Sequence, residues 1–217
     1  MPTSAPHAVR GVGRPRRLPP DVEREQILHA ALRVMRTTGY EQATVADVLA
    51  EAGLSTGSFY RHFESKDQLL LEMYRRDAER AAERLAGRVR RAASPLEGLR
   101  EWLDEFLSLV YDRRKYARVA VMGSPAARRA SGHAEARRAS TQLLVAPLVS
   151  VLEQGMADGS FPLARPSDDA MTIHAMAAGI IDQKLAGTCP MTQAEALAHL
   201  LRFCTSALGV PQRVADG

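Results

Sequence analysis

The stretch Thr44–Phe63, TVADVLAEAGLSTGSFYRHF, decides the fold of this 217-residue chain. Thr44 and Asp47 stand at capping-box spacing, with Asp where Glu is usual, so a helix begins just after Thr44. Val45, Val48, Leu49 and Ala52 then share one face at i, i+3, i+4 and i+7. Gly53 breaks that helix, Leu54 plugs the turn, and Ser55 is a suitable N-cap for a second helix. Phe59 and Phe63 form the inward face of that helix, four residues apart. Its outward face is small and polar: Ser55, Thr56, Gly57, Ser58, Tyr60 and Arg61. Two short helices about a tight glycine turn, the second with such a face, make a helix-turn-helix. That device lays its second helix in the major groove of DNA.

Upstream, Ile27, Ala30, Ala31, Val34 and Met35 recur at helical spacing, and Gly39 stops that helix. Residues 1–20 hold five prolines and Arg10, Arg14, Arg16 and Arg17 without an acid, and read as a basic arm. Downstream, Ser65 and Gln68 repeat the capping-box spacing and open a long helix reaching about Arg91. Ser94-Pro95 opens another, carrying Leu99, Trp102, Leu103, Phe106, Leu107 and Val110. A basic, broken stretch runs from Arg113 to Arg138. A helix from Ser140 to Met156 is expected to be interrupted or kinked at Pro147, and a loop to follow from Gly155 to Asp169. Two helices, Asp169–Ala186 and Thr192–Leu208, close the chain. No segment reads as a strand.

The expected architecture is therefore all-α: an arm over 1–20, a three-helix helix-turn-helix domain over 21–67, and a larger helical domain over 68–217. The net charge of +4 is compatible with nucleic acid without requiring it. Two cysteines, Cys189 and Cys204, make neither a disulfide framework nor a zinc set. The basic N-terminus lacks an apolar core, and no apolar run approaches a membrane span, so a cytoplasmic chain without a membrane partner is expected. There is no nucleophile–base arrangement, no phosphate-binding glycine loop, and no His/Cys/carboxylate cluster at ligand spacing. An enzyme, a cofactor and a metal are accordingly not expected.

Taken together these residues resemble the DNA-binding domain of the TetR/AcrR family of bacterial repressors. The match comprises Thr44, Val48, Leu49, Ala50, Gly53, Ser55, Gly57, Phe59, Tyr60, His62, Phe63 and Lys66 in order, preceded by Arg24, Ile27, Ala30, Ala31, Gly39 and Tyr40. It covers roughly residues 21–70. Two positions depart from the pattern: residue 56, often Lys in the family, is Thr, and residue 64 is Glu. The resemblance implies a helical C-terminal domain that binds a small molecule and dimerises.

On this reading Thr56 and Arg61 are the candidates for base contacts. Ser55 and Gly57, small residues at the helix start, let the helix approach the base edges closely; Thr44, Tyr60, His62 and Lys66 are candidates for contacts to the DNA backbone, and Arg14 and Arg16 for the minor groove. The partners are a double-stranded, pseudo-palindromic operator, a second copy of the chain bound through the last two helices, and a small, largely apolar effector. Aromatic and flexible Met side chains suit such an effector, which nominates Trp102, Phe106, Tyr111, Met122, Met171 and His174. For the basic stretch 113–138 two roles stay open, attraction of an anionic ligand or a solvated face. A ligand-independent DNA binder and a helical enzyme remain the competing readings.

Overall fold

The computed structural model describes residues 18–211, and these form ten helices with no strand among the described residues. Arg14 and Arg16 lie outside that range. Helix α1 (Pro20–Gln42) has proline at its first turn and is broken by Gly39, whose φ of 80° needs a residue without Cβ. Helix α2 (Val45–Ala52) carries both halves of the capping box between Thr44 and Asp47, and ends on Gly53 in the left-handed conformation. Helix α3 (Thr56–Tyr60) is a short helix whose N-cap Ser55 makes no side-chain cap; its hydroxyl pairs with that of Ser58 instead. Phe63 lies past the end of α3, in the following turn, yet is buried like Phe59.

Helix α4 (Lys66–Val89) starts on the Ser65 cap and joins two separate cores. Leu69, Leu70 and Met73 belong to the first, with Ile27, Val48, Leu49, Phe59 and Phe63. Leu85 belongs to the second, built around Trp102, Leu103 and Phe106 of α5 (Pro95–Tyr111). Met73 and Leu85 are separated by about 18 Å of helix at 1.5 Å per residue.

The stretch 113–138 is more ordered than its composition suggests. Asp112 accepts from the backbone N–H of Arg114 and Lys115 and so caps α6 (Arg113–Met122). Ser124 caps the short α7 (Pro125–Arg128). Three of its cations form internal pairs: Lys115 with Glu105, Arg118 with Asp77, and Arg128 with Asp182. Both roles left open for this stretch give way to helix-to-helix bonding for these three residues.

Helix α8 (His133–Ala157) begins earlier than expected and runs continuously through Pro147. Trp102 Nε1–H donates to the Leu144 carbonyl at 3.0 Å, within the turn that the proline loosens. The expected loop shrinks correspondingly, because α9 (Pro166–Leu185) starts on a proline at its first turn. Helix α10 (Gln193–Ala207) opens on a full capping box between Thr192 and Glu195. Helix α5 is the axis of this half, packing against α4, α8, α9 and α10. No helix of the described residues is long and apolar enough to cross a membrane.

Candidate DNA-contact face and effector cavity

The outer surface of the helix-turn-helix unit comes from a strict division of labour along α3. Phe59 is fully buried and stacks edge-on with Tyr60 and at a tilt with Phe63. That fixes the helix, and leaves Ser55, Thr56, Gly57 and Tyr60 exposed on the other side. Tyr60 is 60% exposed, unusual for so large a ring. Thr44 is exposed at the start of α2, its hydroxyl committed to Asp47.

Three of the nominated residues are tied into the protein. Arg61 Nη2 donates to both oxygens of Glu23 at 2.7 and 2.9 Å, and also to the Ser58 hydroxyl. His62 Nε2 lies 2.8 Å from the same carboxylate. Glu23, on α1, is buried. Burial raises its pKa, but the bonds from Arg61, His62 and Ser58 outweigh that and hold it at about 2. Lys66 turns inward: its ammonium donates to the carbonyls of Tyr40 and Ala43 at 3.0 and 2.9 Å and sits over the Tyr40 ring. It caps the end of α1, where carbonyls lack helical partners. Sequence reasoning did not find Glu23; an acid in a helix's first turn reads as ordinary dipole complement.

The second site is a cavity between α4, α5, α6, α8 and α9, with about 950 Å³ of space between atoms, part of it open to solvent. Its apolar walls include Phe106, Leu109, Met122, Leu144, Ile181 and Leu185. Of the nominated pocket residues, Phe106, Met122 and His174 line it. Trp102, Tyr111 and Met171 lie outside its lining. Trp102 is fully buried, stacked on Phe106. Tyr111 donates to the Met191 carbonyl beneath Lys184. Met171 is 48% exposed on the outer side of α9.

The cavity has a polar side that sequence reasoning missed. Tyr74, His133 and Arg137 line it, and Arg128 and Asp182 pair at its edge. His133 is buried and packs at a tilt on the Tyr74 ring. Burial lowers its pKa, with Arg128 and Arg137 adding to the effect. Burial also lowers that of His174, with Arg137 again contributing. Both rings therefore favour the neutral form. Positions 133, 137, 140, 141 and 144 fall on one face of α8, a pattern visible only once that helix is known to begin at His133. Among the described residues no group of three or more His, Cys, Asp or Glu could hold a metal ion.

Comparison with known proteins places this geometry. Residues 27–73 match the family described as "Bacterial regulatory proteins, tetR family". The chain is 28% identical over 159 residues to the HTH-type transcriptional repressor KstR2 of Mycolicibacterium smegmatis, covering 71% of this chain and 74% of that protein. It is 40% identical over 65 residues to the repressor AcnR of Corynebacterium diphtheriae, a match confined to 30% of this chain and 34% of that one. Among solved structures, the fatty acid degradation regulator FadR of Bacillus halodurans superposes with a TM-score of 0.71 at 17% identity, over 84% of this chain and 94% of that one. FadR of Bacillus subtilis, solved in complex with stearoyl-CoA, superposes with a TM-score of 0.67 at 20% identity, over 84% and 98% of the two chains.

Proposed function

The chain belongs to the TetR family and is a DNA-binding transcriptional regulator, and from that premise we propose a homodimeric repressor that leaves its operator when a small, largely apolar molecule fills the cavity. The observation that carries the proposal is the double position of Met122. Its side chain lines the cavity and is at the same time buried in the core that holds α1, α2 and α3. An occupant that displaces Met122 therefore acts on the packing of the DNA-facing unit. Bound and free states then differ in the placement of α3, which is what effector control requires. The acyl ligand of the Bacillus subtilis FadR complex supports a largely apolar occupant in a cavity of this fold.

The DNA face we assign is Thr44, Ser55, Thr56, Gly57 and Tyr60, with Arg61 presented from its Glu23 anchor. His62 and Lys66 act as positioning residues for that face. One such face reads too few base pairs alone, so a second copy and a two-fold operator follow. The dimer surface we assign is the outer side of α9 and α10. Met171, Met176 and Phe203 are exposed there, and a Cβ added at Gly179 would meet nothing within 4 Å. Ile180, Leu197 and Leu200, by contrast, are buried in the monomer core. The helix-turn-helix domain over 21–67 and the effector domain over 68–217 are joined functionally by α4 and α6. The work is done on DNA in the cytoplasm.

The test is fluorescence anisotropy on labelled DNA from upstream of the protein's own gene. Tight binding that resists scrambled competitor, and that falls on addition of stearoyl-CoA or of a compact aromatic compound such as 2-naphthol, is expected. Binding indifferent to sequence would overturn the regulator reading, and binding unaffected by any apolar compound would overturn the effector reading.

A further inference from the structure

Resting on the effector reading above, we propose that the effector is an amphipathic carboxylate, its anionic head held by Arg137 at the mouth of the cavity and its apolar body inside. Arg137 lines the cavity and is exposed, so it stands where solvent and interior meet. It forms no ion pair among the described residues, and the two acids of the lining are already taken, Asp77 by Arg118 and Arg80, Asp182 by Arg128. Burial, with Arg137 contributing, lowers the pKa of both His133 and His174, which keeps the two rings uncharged. Once these pairs are counted, the lining is left with one positive charge, that of Arg137. A monoanion complements it.

Arg137 does not act alone. Ser140 and Thr141 also line the cavity, three and four positions further along α8, and so share its face. Ser140 is 4% exposed, and its hydroxyl has no hydrogen-bond partner among the described residues. Its oxygen is not sealed away: among the described residues, His133 Nε2 is the one side-chain atom that is both fully buried and without a partner. A molecule in the cavity can therefore reach the Ser140 hydroxyl. A guanidinium and two hydroxyls present donors to one point, and a carboxylate, which only accepts, satisfies all three. An amide head would set its own N–H groups against the guanidinium. A phosphate dianion would bring one charge more than the lining offsets.

Beside these donors the wall turns apolar. Leu144 follows on the same face of α8, and Phe106 and Leu109 of α5 and Ile181 of α9 continue it. Burial of the body supplies affinity, and the head selects. Of the basic stretch 113–138, Arg137 is thus the residue that attracts an anionic ligand.

The experiment is isothermal titration calorimetry of the full chain with 2-naphthoate, 2-naphthamide and 2-naphthyl phosphate, which share a body and differ in the head. We expect 2-naphthoate to bind roughly tenfold or more tightly than the other two. Arg137→Gln should bring 2-naphthoate to within about threefold of 2-naphthamide, while 2-naphthamide stays within about twofold of its wild-type affinity because the cavity is intact. Arg138, next along α8, is exposed and outside the lining. Arg138→Gln removes the same charge without the contact and should leave the preference in place. Equal binding of 2-naphthoate and 2-naphthamide, a preference for the phosphate, or no binding of 2-naphthoate would overturn the proposal. So would a preference that survives Arg137→Gln or that Arg138→Gln abolishes equally. Operator release by neutral apolar compounds, with no advantage for the carboxylate, would remove this proposal and leave the effector reading standing. No release by any apolar compound, charged or neutral, would remove both.

Discussion

Arg61 and Glu23 are bound to each other across the first core, the guanidinium of one on both carboxylate oxygens of the other at 2.7 and 2.9 Å. The pair ties the end of the recognition helix α3 to the first turn of α1. It sets Arg61 in a fixed place beside the exposed face, with part of its charge already offset. Glu23→Gln should release this anchor. We expect a loss of about 1–3 kcal/mol in stability, since a buried pair is broken from one side. With DNA, the freed Arg61 should loosen sequence preference, seen as a narrower gap between operator and scrambled duplex in anisotropy titrations.

The same carboxylate predicts an acid dependence. Its folded pKa of about 2 lies below the ordinary carboxylate range, so its stabilisation is complete above pH about 4.5 and is lost as pH falls toward 2. Thermal denaturation between pH 5 and pH 2.5 should show a steeper fall for the wild type than for Glu23→Gln. Parallel curves would mean that Glu23 contributes no such linkage.

Lys66 separates two roles that look alike in the sequence. A phosphate contact, once removed, lowers the salt dependence of DNA binding by about one counterion and spares the fold. A cap on the end of α1 does the reverse. The three-carbonyl placement of the ammonium predicts the second outcome for Lys66→Met. The melting temperature should drop by several degrees while the slope of log affinity against log salt stays unchanged.

How far these features were legible in the sequence depended on their range. The caps at Thr44 and Ser65, the break at Gly39 and the turn at Gly53 are read from residues within four positions of each other, and all are present, whereas Ser55 makes no side-chain cap. Helices α6 and α7 were not read, because Arg113–Arg138 is too charged to suggest a buried face. What orders it is Asp77, Glu105 and Asp182, brought from three other helices. His133 escaped notice for the same reason. Alone it reads as a surface histidine, and only α6 and α4 packed around it make it a cavity wall. Trp102 was nominated for the cavity on chemistry alone, but its indole is used up on the Leu144 carbonyl and the Phe106 ring.

Gly155 offers a sharp test of packing in the second core. A methyl group there would run into the ring of Phe161, which is itself fully buried. Gly155→Ala should cost about 1–3 kcal/mol, as overpacking does. The expected fall in melting temperature is of the order of 2–4 °C per kcal/mol for a chain of this size. An unchanged melting temperature would show that the Gly155–Phe161 contact relaxes freely.

The outer face of α9 and α10 predicts assembly. Phe203 is 47% exposed and lies on that face with Met176. Phe203→Glu should yield a folded monomer by light scattering, with operator affinity reduced at least tenfold because two half-sites no longer bind together. A dimer of wild-type stability in this variant would move the interface elsewhere.

The exposed side of α3 is expected to read a two-fold operator. Its most direct test is an anisotropy titration of the full chain against DNA from upstream of its own gene, with the wild type beside Tyr60→Ala and Thr56→Ala. Saturation at two protomers per duplex, loss of binding when one half-site is scrambled, and at least a tenfold weakening in each variant without a change in melting temperature are expected. Undiminished binding by both variants, or equal affinity for scrambled DNA, would contradict it.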